Sequence, residues 1–121
     1  MPQDERVTIQ HRDNLERNGN WLLARRSLGL QSFGLNLVEI APGEQIPEHD
    51  ETDRDQEEVF MILEGSPSML IDGETHHTRA GTLVRLDPEP SRTVVNTGDE
   101  TALVLIASAP RSSGYEPMGW A

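Results

Sequence analysis

The sequence predicts an all-β domain, a sandwich or closed barrel of short antiparallel strands. Three observations carry that reading. The apolar runs are short and alternate with polar residues, the period of a half-buried strand. Gly, Pro, Asp and Asn interrupt them at close spacing along the whole chain. Only one stretch, "RDNLERNG", could hold a helical turn, and Gly19 would end it. At 121 residues the chain is the size of one domain with a single hydrophobic core. The core must come from Leu, Val and Ile, because aromatics are few.

Taken in order, the expected strands are 7–10, 21–27, 31–41, 57–63, 68–72, 75–78, 82–86, 92–96 and 102–108. The first two belong to an N-terminal part, 7–27, ahead of a core barrel over 31–108. In the third strand Phe33, Leu35 and Leu37 alternate with Gly34, Asn36 and Val38, a core-packing pattern shared by Phe60, Ile62, Leu103 and Leu105. "APGEQIP" bends the chain after the third strand and "EGSPS" after the fourth. "IDGE" is an Asp-Gly hairpin, and "NTGDE" reads as a second one. The tail 109–121 is broken by Gly and Pro yet carries Tyr115, Met118 and Trp120. Such aromatics predict a tail docked on the domain or on a partner chain.

Composition removes several functions. The net charge of −11 argues against a nucleic-acid binder, which needs a basic face, and against an anionic membrane surface. With no cysteine there are no disulfides, thiolate nucleophiles or Cys-type zinc sites. The first residues, "MPQDERVTIQHRDN", lack the apolar core of a signal peptide, and no run is long enough to span a bilayer. A cytoplasmic location is the expectation.

The densest chemistry lies in "PEHDETDRDQEEVFMILEG". From Glu44 to Glu58 there are eight carboxylates and one arginine. Residues two apart on a strand share a face, so His49 can point with Glu51, and Gln56 with Glu58. If those segments are neighbours, an imidazole and several oxygen donors converge, a set suited to Mn, Fe, Ni or Zn. The alternative is a polar turn whose acids face water.

The stretch from Gly43 to Asn96 resembles the cupin superfamily, whose first motif runs G-x5-H-x-H-x3–4-E-x6-G. Gly43, His49, Glu58 and Gly65 fall in place, and "EEVFMILEG" is similar to a cupin strand. Glu51 stands where the family has its second histidine, and the gap from there to Glu58 is longer than usual. In the second motif, G-x5-P-x-G-x2-H-x3-N, Gly81 and Asn96 match. Pro88 falls one place late, Glu89 replaces the glycine and Arg92 replaces the histidine. The resemblance implies a jelly-roll barrel, the double-stranded β-helix, with a site inside its mouth.

The departures define two readings. A guanidinium has no lone pair and cannot ligate a metal. In the first reading His49, Glu51 and Glu58, with Gln56 as a further oxygen donor, hold a divalent ion, and Arg92 across the mouth binds an anionic ligand. In the second, Arg92 pairs with a carboxylate and the pocket of a binding or regulatory module is charge-satisfied without metal. By the same resemblance His76 lines the cavity while His77 faces solvent. Arg85 either turns inward, to bracket the ligand with Arg92, or outward to pair with surface acids. Arg25 and Arg26 read as a basic pair salt-bridged to the acidic excess. The expected partners are a small anionic organic molecule and a second copy of the chain in a homodimer.

Overall fold

The computed structural model describes residues 5–120. Nine strands form two antiparallel sheets that face each other across one core. The larger sheet uses β1 (Arg17–Asn18), β2 (Trp21–Leu22), β3 (Gly34–Ile40), β4 (Gln56–Glu64), β7 (Leu83–Leu86) and β9 (Ala102–Pro110), in the order β1-β2-β3-β9-β4-β7. The smaller uses β5 (Ser68–Ile71), β6 (Glu74–His77) and β8 (Arg92–Val95), in the order β6-β5-β8. Residues 43–49 extend the small sheet along the free edge of β8, with bridges from Gln45 to Val95 and from His49 to Arg92. This is the all-β arrangement that the alternation and turn spacing predict, and the jelly roll that the resemblance implies.

Register explains where the core stops and a site begins. Antiparallel pairing aligns Gly34 with Ser108 and Ser108 with Glu58; the next aligned set is Asn36, Ile106 and Phe60, and the next Val38, Val104 and Ile62. Side chains alternate across a strand, so these even-numbered residues all turn inward. Phe60, Ile62, Val38, Ile40, Val104 and Ala102 pack with Met69 and Val94 of the opposite sheet. Moving toward the start of β4, the same inward face presents Glu58 and then Gln56, both buried. The inward face of the large sheet is therefore apolar along most of its length and polar toward the start of β4.

Odd-numbered residues bury as well. Leu37 and Leu103 pack outside the large sheet against Leu15, Leu22 and Ala24, with Leu35 and Leu105 alongside. The N-terminal segment is thus a third layer that covers the back of β3 and β9. It is not built from the two strands expected over 7–27. Residues 7–10 form no strand, and β2 ends at Leu22 before a short helix, α1 (Ala24–Leu28). Gly29, in the left-handed conformation, donates its N–H to the carbonyls of Arg25 and Arg26 and stops that helix. Among the described residues no helix is long and apolar enough to cross a membrane.

Two turns and the tail depart from, or refine, the expectations. Asp72 and Gly73 both have positive φ, as the predicted Asp-Gly hairpin between β5 and β6 requires. "NTGDE" is not a hairpin: it carries the chain from β8 in one sheet to β9 in the other. Asn96 pins this crossover by donating to the carbonyls of Ile40 and Glu100 and accepting from the Gly98 N–H. The tail is tied at its base, where Arg111 pairs with Asp55 and Glu89. Tyr115, Met118 and Trp120 remain exposed on this chain, so ion pairing, not aromatic docking, fixes the tail to its own domain.

Gly65 closes the turn after β4 at φ +85°, and a Cβ there would lie 2.9 Å from the Cα of Ala102. Both the dihedral and the approach oppose a side chain. Gly65→Ala should cost about 1–3 kcal/mol in urea unfolding; an unchanged midpoint would show that the turn relaxes freely.

Candidate functional site

The site is built where the polar end of that inward face meets the acidic loop. His49 is held by two backbone hydrogen bonds to β8: its N–H donates to the Arg92 carbonyl at 3.0 Å, and the Arg92 N–H donates back at 2.8 Å. Two residues on, the Glu51 N–H donates to the Pro88 carbonyl, so Glu51 sits in a clamped loop and not on a strand. Glu58 arrives from the inward face of β4. One ligand atom each from His49, Glu51 and Glu58 lie within 4.8 Å of one another. His49 Nε2 is 3.2 Å from a Glu51 oxygen and 3.7 Å from Glu58 Oε1.

Hydrogen bonding decides how the imidazole is presented. His49 Nδ1 lies 3.0 Å from the Pro47 carbonyl. A carbonyl only accepts, so Nδ1 carries the proton, and in the neutral ring the Nε2 lone pair faces the two carboxylates. That is the orientation a metal-ligating histidine takes, with its other nitrogen bonded to a backbone oxygen. Glu58 Oε1 is buried and makes no hydrogen bond. A buried carboxylate oxygen without a hydrogen bond, only partly offset by the Arg92 guanidinium and set beside a lone pair and a second carboxylate, favours a cation or a proton there. The three residues thus form a donor set that could hold a divalent ion.

Arg92 does not occupy the expected place across the mouth. Its side chain is 0% exposed and donates to the carbonyls of Asp87, Pro88 and Pro90. Nε alone is left toward the site, 3.3 Å from Glu58 Oε1 without the alignment of a hydrogen bond. The guanidinium is a buried bolt that fixes the 87–90 turn and lends positive charge to the floor; its terminal nitrogens are committed to carbonyls. One other expectation is corrected, and one left open is decided. His76 lies on the fully exposed strand β6, nearest Glu74, and does not line the cavity. Arg85 turns outward and pairs with Glu57 and Asp87. His77 is exposed as expected, with Nδ1 against the Ser68 hydroxyl.

A cavity of about 720 Å³ opens over the cluster, within the range of small-molecule sites. Gln56 and Ser108 line it beside Glu58, and Trp21 and Ile106 give it an apolar side. Gly34 makes room: a Cβ there would fall 2.6 Å from Ser108 Oγ. Arg25 and Arg54 also line it. Sequence reasoning missed both as site residues. The missed signal for Arg25 was Gly29, a glycine placed to end a helix over "ARRSL" where a strand was expected.

Residues 36–108 match the model of the cupin domain. Among solved structures, a cupin protein from Bacteroides fragilis superposes with a TM-score of 0.79 over 97% of this chain and 94% of that one, at 21% identity. A predicted oxalate decarboxylase from Thermotoga maritima gives 0.70 at 18% identity, covering 85% of this chain and 99% of that one. A sugar phosphate isomerase of the cupin superfamily from Silicibacter pomeroyi gives 0.65 at 25% identity, covering 74% of this chain and 57% of that one. Among curated proteins none matches by sequence.

Burial pushes the Glu58 carboxyl above the ordinary value of 4.5, and Glu51 adds to the rise; Arg92 and His49 pull the other way. The folded state therefore holds this proton more tightly than the unfolded chain. Glu58 favours folding below pH 4.5, and that contribution disappears as pH climbs through its raised folded value. In chelator-treated protein, wild type should lose stability relative to Glu58→Gln across that window; parallel melting profiles would refute the burial argument. Arg92→Leu should cost about 3–5 kcal/mol in urea unfolding, because it strips a buried charge partner. Arg85→Leu, whose pairs are exposed, should stay near wild type, and equal costs would deny Arg92 its structural role.

The solved structures share the fold, and the match of residues 36–108, more than half of the chain, to the cupin domain model shows that this chain belongs to the cupin domain family.

Proposed function

We propose that this chain is a small-molecule-binding cupin that holds a divalent transition metal through His49, Glu51 and Glu58 and acts on a small anionic organic compound. The observation that carries the reading is the convergence of three donor atoms, one of them a buried carboxylate oxygen without a hydrogen bond, at the floor of an open cavity. Bound there, a divalent ion supplies Lewis acidity to a substrate oxygen or lowers the pKa of a bound water. The chain's own contribution is positional. The Pro47 carbonyl fixes the imidazole, Gln56 offers an amide beside the floor, and Trp21 and Ile106 exclude water from one side. The names of the relatives agree in chemistry, since oxalate and a sugar phosphate are both small organic anions.

A second reading rests on the Arg92–Glu58 contact. With Arg92 Nε at 3.3 Å from Glu58 and His49 at 3.2 Å from Glu51, a protonated imidazole would balance both carboxylates and leave a metal-free binding module. Metal titration separates the two. Protein stripped with chelator and titrated with Mn²⁺, Zn²⁺, Fe²⁺ or Ni²⁺ should take up one ion per chain, measured by calorimetry and elemental analysis. His49→Ala and Glu58→Ala should each weaken uptake at least tenfold, about 1.4 kcal/mol. No uptake by folded wild type, or uptake indifferent to both changes, would sink the metal reading in favour of the metal-free one.

A further inference from the structure

All ten basic side chains of this protein are arginines, set against 21 acids. In such an excess of carboxylates an arginine finds an acidic partner easily. Arg12, Arg17, Arg26, Arg85, Arg92 and Arg111 do so. Among the described residues Arg25, Arg54 and Arg79 do not, and the first two of these line the cavity above the His49–Glu51–Glu58 cluster.

Their lack of partners has a local cause. Arg54 stands in the most acidic stretch of the chain, yet it pairs with none of its neighbours, and three of them are engaged elsewhere. Asp50 accepts from the Thr52 N–H and hydroxyl, Glu51 lies against His49, and Asp55 is taken by Arg111. The left-handed turn at Asp55, at φ +50°, ends the 3₁₀ turn Thr52–Arg54 and separates Arg54 from that pair. Arg25 gives one hydrogen bond, to the Leu30 carbonyl at 3.1 Å, while the adjacent Arg26 takes Glu16. The capped end of α1 leaves Arg25 beside the segment 30–33 that forms part of the cavity wall. Two guanidiniums with free donors thus share a cavity with a floor of imidazole and carboxylates. A forked donor recognises a planar carboxylate or a phosphate through paired hydrogen bonds.

We propose that Arg25 and Arg54 bind the second oxyanion of a bifunctional organic acid whose hydroxy- or oxo-acid end lies at the His49–Glu51–Glu58 floor. The ligand class is a small hydroxy or oxo acid bearing a further carboxylate or phosphate. Arg25 and Arg54 are specificity-determining residues, and they take over the anion recognition for which Arg92 is too deeply buried. The inference rests on the small-molecule reading of the cavity but does not require the metal.

The test uses three probes, lactate, 2-hydroxyglutarate and 3-phosphoglycerate. All present the same hydroxy-acid end; the second adds a carboxylate and the third a phosphate. Calorimetric titration of Mn²⁺-loaded and of chelator-treated wild type should give at least tenfold tighter binding for one or both doubly anionic probes than for lactate. Which of the two wins identifies the second oxyanion as carboxylate or phosphate. Arg54→Gln, which removes no bond of the fold, should reduce that preference several-fold. Arg25→Gln with Arg54→Gln should abolish it, leaving lactate binding and Mn²⁺ affinity within twofold of wild type. If Mn²⁺ binds but the probes are not discriminated, or if the preference survives the double change, the inference is overturned while the metal reading stands. If no Mn²⁺ binds but the arginine-dependent preference persists, the metal reading falls and the inference holds. If wild type binds none of the probes, the inference is overturned.

Discussion

A pair of reciprocal backbone hydrogen bonds between His49 and Arg92 holds the functional end of this protein together. An acidic loop in a chain of net charge −11 has every electrostatic reason to swing into solvent. The bridge instead stitches it to the edge of β8, which is itself paired through β5 into the small sheet. The imidazole then meets Glu58, which the large sheet delivers from the opposite side. Neither sheet alone contains the site. It exists because the barrel closes, so the free energy that packs Val94 and Met69 against Phe60 and Ile62 also assembles the donors.

The cost of that assembly is visible in the arrangement. Two carboxylates are brought beside one another in partial burial, and Glu58 loses most of its water. Arg92 offsets part of this, yet it is held by three carbonyls and approaches Glu58 only edge-on. A site left short of positive charge is one that a metal ion, a proton or a cationic ligand group can complete. Unrelieved strain of this kind is common at functional positions and rare in cores built for stability alone.

Much of this was legible in the sequence, and the failures have physical reasons. Alternation and turn residues together located β3 to β9 within a few residues: β4 buries with a clean period of two, while β6 is wholly exposed and the Asp-Gly turn places it beside β5. Alternation failed over 21–27, where the N-terminal layer packs through a helix too short for its own period to be seen. The cluster of His49, Glu51 and Glu58 was readable from spacing and resemblance together. The direction of Arg92 was not, because its position in register faces inward as predicted but the carbonyls of the 87–90 turn capture its tip. Arg25 and Arg54 could not be found by any motif. They reach the cavity from a helix and a loop placed only by tertiary packing, and their lack of carboxylate partners is a property of the folded neighbourhood.

The exclusive use of arginine carries a consequence for how the protein responds to its surroundings. A guanidinium keeps its charge throughout the physiological and mildly alkaline range, unlike an ammonium, which can be tuned downward by burial. Arg25 and Arg54 therefore keep their charge on the cavity wall, and under the proposed reading any acid or base sensitivity of ligand capture originates in the imidazole–carboxylate floor or in the ligand. On the proposed reading, recognition and proton exchange fall to separate ends of one chamber, so either could be altered without resetting the other.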